Sequence, residues 1–230
     1  MTDSWIDNPP VRAGIRRMLE SRAEVITRGE RVIGWKLGFG APAWLEKFGI
    51  PGPLVGFLPE SRLHQTGTQV SVRGWTSAVA EAEIAVHFDS DVDDPNRVAS
   101  SICAIAPAIE LADIDPPPDD LAEVVAGNIY HRALILGEAD PGRAGGDIDD
   151  LVATIMRNGE EVATIRDLEE LTGELIPILA HTARLLAAFG ESIRSGDVVI
   201  AGSVVPPLRI APDEEIGFRL APFPAISVVV

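Results

Sequence analysis

The chain of 230 residues has one cysteine, one tyrosine and two lysines, and aromatic residues make up 5% of it. A single thiol, Cys103, excludes an internal disulfide and suits a reducing compartment. Cys103 lies in an apolar stretch with Ile102, Ala104 and Ile105 that reads as helical, and it is expected to be inert core. With so few rings, Leu, Val, Ile and Ala must fill the interior. Basic residues are also scarce: 19 against 35 acidic ones leave a formal charge of −16. That balance argues against a nucleic-acid or anionic-membrane surface, which would need a basic patch. No uncharged apolar run approaches the ~20 residues of a membrane span. The opening stretch MTDSWIDNPPVRAGIRR lacks the apolar core of a secretory signal, so a cytoplasmic location is expected. What remains, with 46% hydrophobic residues, is a soluble globular chain long enough to bury a full core.

Helical spacing of Val11, Ile15, Met18, Leu19 and Val25 predicts a first helix entered through Asn8-Pro9-Pro10. RVIGWKLGF then reads as a strand, APAWLEKFG as a short helix ending at Gly49, and residues 54 to 88 as strand-like text punctuated by glycines. Asp94-Pro95 predicts a helix running through Ala106, followed by a strand in PAIELADID. After a loop and a short helix in PPPDDLAEVVAG, NIYHRALILG reads as a strand, and Asn158-Gly159 marks a hairpin. LEELTGELIPILAHTARLLAAFG carries the longest helical pattern, and the last forty residues return to strands. Strands dominate without a regular strand–helix repeat, which predicts an α+β fold on a large mixed or barrel-like sheet. Residues 1–60 read as a helical cap with the first strands and 61–230 as a β-rich catalytic core, together one continuous domain. AGGD near residue 145 lacks the strand-to-helix setting of a phosphate-binding loop.

The anomaly lies in AEAEIAVHF. On a strand, Glu81 and Glu83 share one face about 7 Å apart, in text that otherwise looks buried. Two like charges in low dielectric are unfavourable unless a cation joins them, and hard divalent cations favour carboxylate oxygens. An exposed edge strand or arginine partners would also explain a lone Glu-x-Glu. A third carboxylate, Glu110 in APAIELADI, again stands in apolar strand text and favours the metal reading. Lys36 in VIGWKLGF is flanked by Trp35 and Leu37, so its ammonium needs an anion there, either a substrate or one of the glutamates. His87 follows Glu81 and Glu83 on the same face and reads equally as pocket lining or as core. His64 and His181 read as structural residues of a loop and a helix.

Taken in order, GWKLGF, GPLVGFLPESRL, AEAEIAVHF, PAIELAD, AGN with LILG, and LLAAFGESIRSGDVVIAGS resemble the 2-keto-4-pentenoate hydratase / 4-oxalocrotonate decarboxylase family. That family lies in the fumarylacetoacetase-like superfamily, and the resemblance runs from about residue 11 to 230. It implies the barrel-like fold of the fumarylacetoacetase C-terminal domain, with Glu81, Glu83 and Glu110 as Mg²⁺ or Mn²⁺ ligands. A glutamate as third ligand resembles the hydratase and decarboxylase branch, where the C–C hydrolases usually carry aspartate. Lys36 would be the active-site lysine, with Asn128 and Ser203 as substrate-binding residues. His131, unusual for the family, is an acid–base candidate, and Arg132 would meet a second substrate carboxylate, solvent or a glutamate.

The chain departs from the family pattern at Phe39-Gly40-Ala41, at Ile129-Tyr130-His131-Arg132, at Ala201 and at Val204-Val205-Pro206-Pro207. The metal ligands match while the substrate shell differs. The implied activity is a metal-dependent hydratase, a lyase acting on a 2-hydroxy-2,4-dienoate or 2-oxo-alkenoate of aromatic catabolism through a metal-stabilised enolate. The alternatives are a 2-oxo-3-enedioate decarboxylase and a non-catalytic relative that stabilises a partner enzyme. The resemblance also implies a homo-oligomer.

Overall fold

A computed structural model of the protein describes residues 8–115, 117 and 119–230. The chain opens with helix α1 (Pro9–Thr27), strand β1 (Val32–Gly38), helix α2 (Pro42–Phe48), and strands β2 (Leu54–Pro59) and β3 (Leu63–His64). Strands β4 (Ala78–Phe88) and β5 (Ile102–Asp113) follow, then helix α3 (Leu121–Ala126), β6 (His131–Leu136), β7 (Val152–Arg157) and β8 (Glu160–Ile165). Helix α4 (Leu175–Ala187) precedes β9 (Val198–Ser203), β10 (Leu208–Arg209), β11 (Glu215–Ala221) and β12 (Ile226–Val229).

Eight strands form one sheet in the order β2-β1-β9-β4-β5-β6-β3, with β10 paired to β4, and β12-β11-β7-β8 form a second. The β1–β9 and β3–β6 pairs are parallel and the other pairs of the large sheet antiparallel, so the fold is the α+β architecture on a mixed, curled sheet that the sequence predicts. β4 and β5 form its spine, and their two faces differ. One face sets Ala85 opposite Ala106, Glu83 opposite Ala108 and Glu81 opposite Glu110. These alanines join Ile33, Leu58, Leu134, Val198 and Ile200 in a compact core of their own, and such small side chains let a sheet curl tightly around its concave face. The other face carries Ile84, Val86, Ile105 and Ile109 into the main core, with residues of α1, α4 and the second sheet.

The α1 helix starts on two prolines, tolerated where the first N–H groups have no intrahelical partner, and buries Val11, Ile15 and Met18. At Gly34 the backbone of β1 lies so close to β9 that a Cβ would sit 1.9 Å from the Val198 carbonyl oxygen, and φ is +145°. Gly34→Ala is therefore expected to push β1 off β9 at a cost of about 3 kcal/mol. In a thermal melt that is a Tm lower by roughly 10 °C, and a shift below about 2 °C would mean that the strands yield without penalty.

Three sequence expectations need correction. Asp94-Pro95 opens a 3₁₀ turn over Pro95–Ser101, and strand β5 starts at Ile102, so the helix expected through Ala106 is absent. A short apolar run cannot separate buried helix from buried strand, and pairing with β4 decides it here. Cys103 thus lies on a strand, half-buried, with burial holding its thiol pKa above the usual value. The longest helix is α1, with 19 residues against 13 in α4, because Gly173 at φ +83° stops helical geometry ahead of Leu175. Finally, β6 begins only at His131, since Asn128, Ile129 and Tyr130 all adopt left-handed backbone angles.

Candidate active site

Glu81, Glu83 and Glu110 converge: each offers a carboxylate oxygen, and these oxygens all lie within 4.8 Å of one another. The strand register causes this, since Glu81 and Glu110 are directly opposed across the β4–β5 pair and Glu83 is two residues along the same face. Glu83 and Glu110 are buried and Glu81 is partly exposed. From β1, the buried Lys36 reaches Glu110, its Nζ donating to Oε1 at 2.5 Å and Oε2 at 2.6 Å, and to the carbonyl of Ile129 at 3.1 Å. Those three acceptors use all three ammonium protons. His131 stands on the other side of Glu110, its Nδ1 2.7 Å from Oε1. The Gly202 N–H donates to Glu83 Oε2 at 2.8 Å, while the buried Glu83 Oε1 has no hydrogen-bond partner among the described residues.

The electrostatics are unbalanced. Burial, with Glu110 nearby and Lys36 opposing, pushes the Glu81 carboxyl up to about 7. Burial, then Glu110 and Glu81, drive Glu83 well above the carboxylate range. Glu110 goes the other way: burial would raise it, but Lys36 and the hydrogen-bonded His131 together hold it below the usual value. Burial would discharge Lys36, yet Glu110, Glu81 and Glu83 outweigh it and keep the ammonium charged. The buried His131 is depressed below the ordinary histidine value, so its ring is neutral near pH 7 and Nδ1–H donates to the acceptor-only Glu110 carboxylate. Ionising all three carboxylates against the one ammonium would leave a formal −2, which one divalent cation would cancel.

Next to the triad, Glu81 borders a cavity of about 310 Å³ whose walls also include Lys36 and Ser203, while Glu83 and Glu110 are not among its wall residues. The Ser203 Oγ lies 3.4 Å from the Ala82 carbonyl. Asn128, His131 and Arg132 are not in those walls. The Asn128 side chain instead clamps the Phe57 backbone, accepting from its N–H at 2.7 Å and donating to its carbonyl at 2.9 Å. Arg132 points its guanidinium toward Asp113 at 3.8 Å. His87 lies at the far end of the concave face, opposite Ala104 and Val198, with Nε2 buried and unpartnered among the described residues. His181 lies on α4 with Nε2 3.1 Å from the Pro53 carbonyl, and His64 lies in the short strand β3 rather than a loop.

Sequence reasoning missed Trp44, Leu171 and Thr172 in the cavity wall, while Phe39 and Val205, from segments that depart from the family pattern, line it as well. The left-handed angles of Phe39 (φ 61°), Ile129 (47°) and Tyr130 (66°) went unseen too. Bulky residues rarely adopt that conformation, at a cost of about 1–3 kcal/mol each, and such strain clusters at functional sites. A signal did exist, since Phe39, Ile129 and Tyr130 all fall where the chain departs from the family pattern.

The curled sheet is a fold shared with solved fumarylacetoacetate hydrolase family structures: one from Yersinia pestis CO92 superposes with a TM-score of 0.62 at 18% identity, covering 85% of this chain and 91% of that one. In sequence, the chain resembles curated 2-keto-4-pentenoate hydratases and 4-oxalocrotonate decarboxylases. The chain is 27% identical over 186 residues to the 2-hydroxyhexa-2,4-dienoate hydratase of Comamonas testosteroni, covering 77% of this chain and 70% of that one. It is 26% identical over 214 residues to the 4-oxalocrotonate decarboxylase of Pseudomonas putida, covering 90% and 81%. The structure of 4-oxalocrotonate decarboxylase from Pseudomonas putida G7, complexed with magnesium and adipate, superposes with a TM-score of 0.83 at 25% identity, covering 92% of this chain and 82% of that one. No family model matches the chain. Among the described residues, no helix is long and apolar enough to cross a membrane.

Proposed function

We propose that the protein is a divalent-metal-dependent lyase that hydrates a 2-hydroxy-2,4-dienoic acid, with Glu81, Glu83 and Glu110 holding Mg²⁺ or Mn²⁺. The observation that carries this reading is the convergent carboxylate triad, whose Glu81 lines a cavity and one of whose buried oxygens, Glu83 Oε1, has no partner among the described residues. An all-oxygen donor set suits hard cations. Once bound, the ion would supply Lewis-acid polarisation to the oxygens of a 2-oxo acid.

The chain's own groups do the remaining work. The Gly202 N–H fixes one oxygen of Glu83 and leaves the other without a partner among the described residues. Lys36 and His131 hold Glu110 ionised and oriented, the kind of outer support that sets ligand geometry. The Lys36 ammonium at the cavity wall also favours negative charge growing on a bound substrate. Ser203 contributes a hydroxyl to the same wall. Asn128 acts on substrate through the backbone it braces, and Arg132, on β6 and outside the cavity walls, faces Asp113 instead of a second substrate carboxylate. The resemblance extends the proposal to a cytoplasmic homo-oligomer working beside another enzyme of its catabolic route.

A second reading, decarboxylation of a 2-oxo-3-enedioate, draws support from the 4-oxalocrotonate decarboxylase match. With Mg²⁺ present, 2-hydroxypenta-2,4-dienoate and a 2-oxo-3-enedioate separate the two. Loss of dienoate absorbance with formation of the hydrated product is expected, whereas CO₂ release from the enedioate alone would transfer the assignment to the decarboxylase. Turnover of neither, with a partner enzyme recovered on the protein, would favour a non-catalytic stabilising role.

A further inference from the structure

We infer that the cavity takes a 2-oxo or 2-hydroxydienoic acid with a single carboxylate and an apolar far end of about the size of a phenyl ring. This rests on the reading above and narrows its substrate class. The first observation is chemical. Among the described residues Lys36 is the one cationic side chain in the cavity wall, and its three protons are already taken by Glu110 and the Ile129 carbonyl. Arg132 lies outside the wall beside Asp113. One carboxylate and the adjacent oxygen would be met at the metal, and among the described residues no second cation in the wall compensates a second carboxylate, which would lie among mainly apolar side chains.

The second observation is steric. Much of the wall is aromatic or apolar, with Phe39, Trp44, Ile129, Tyr130, Val205 and Pro206 among its residues. The Phe39 ring packs edge-on to Trp44 at 5.4 Å between centroids and to Tyr130 at 6.5 Å, so one ring ties α2 to the segment before β6. Phe39 and Tyr130 are both held at positive φ, so the backbone accepts strain to present these rings. The volume of 310 Å³ equals about ten waters at ~30 Å³ each, room for a ligand of roughly a dozen non-hydrogen atoms. A phenyl-tailed 2-oxo acid fits that description, and edge-to-face contact favours such a tail over a linear one of equal area.

The test is calorimetry on the Mn²⁺-loaded protein with 2-oxo-4-phenylbutanoate, 2-oxohexanoate and 2-oxoadipate. The phenyl acid is expected to bind at least tenfold more tightly than 2-oxoadipate, with 2-oxohexanoate between them. Phe39→Gly, which suits the left-handed backbone, is expected to erase most of the phenyl preference while leaving Mn²⁺ affinity within about twofold. Equal or tighter binding of 2-oxoadipate, or a preference that survives Phe39→Gly, overturns the inference. A metal-free arm compares neutral 4-phenylbutan-2-one with 5-oxohexanoate by ligand-observed NMR. Binding of the first alone supports the apolar assignment, and binding of the second with equal strength refutes it. Failure of Mn²⁺ to bind would defeat the lyase reading, while this second arm still decides the nature of the cavity.

Discussion

Lys36→Met is expected to destabilise the protein by about 3–5 kcal/mol near pH 8, because it strands the fully buried Glu110 carboxylate without its counter-charge. For a chain of this size the Tm falls on the order of 10 °C. In the native protein Glu110 sits below the ordinary carboxylate value, so its ionised form stabilises the fold above the unfolded pKa and that contribution is lost in acid as pH falls through the folded pKa. Without Lys36 the sign reverses. Burial, already the largest influence on Glu110, would carry its pKa above the unfolded value, so the variant binds more protons folded than unfolded and weakens as pH rises. The gap in Tm between native protein and variant should therefore narrow from pH 8 to pH 5. A constant gap across that range would show that Lys36 acts by packing alone. Combining Lys36→Met with Glu110→Gln should cost clearly less than the two single changes added together, as expected of groups in direct contact.

The second large effect is on metal binding. Glu83→Gln keeps an acceptor for the Gly202 N–H but removes the charge from the oxygen that has no partner, and should weaken Mg²⁺ or Mn²⁺ by at least about 100-fold in calorimetry. Glu81→Ala and Glu110→Ala should do the same, and unchanged affinity in any of the three sinks the metal assignment. The metal-free protein should respond in the opposite sense. Glu83 is raised well above its ordinary value, so its native carboxyl holds a proton that the unfolded chain has released, and ionising it opposes folding as pH rises. Glu83→Gln is thus expected to leave the metal-free fold as stable at pH 8 or more so, while abolishing stabilisation by metal. With Glu81 raised to about 7, metal affinity should fall roughly tenfold per pH unit below 7 for each proton the ion displaces. An affinity flat from pH 5 to 8 would show that Glu81 is not a ligand.

Much of this site is legible in the amino-acid sequence. Glu81, Glu83, Glu110 and Lys36 betray themselves because charge in apolar strand text needs a partner, and period-two alternation puts the glutamate pair on one face. The helix at 9–27, the hairpin at Asn158-Gly159 and the Gly49 stop after α2 follow from local chemistry in the same way. The run from Ile102 to Ala106 is not legible, because its helix and strand readings differ only in which neighbour it meets, and that neighbour is β4.

What the sequence alone determines, then, is the kind of chemistry: an acidic cluster able to hold a hard cation, and a scarce lysine to balance it. Which ligands the chemistry serves was decided by tertiary structure. Asn128 is spent bracing the Phe57 backbone and Arg132 faces Asp113, while Phe39, Trp44, Tyr130 and Val205, far apart in the chain, meet to line one cavity. The reason is physical. Period-two alternation records which side chains share a face of one strand, but a cavity wall is assembled from segments whose approach depends on sheet curvature and on backbone angles that no local pattern encodes.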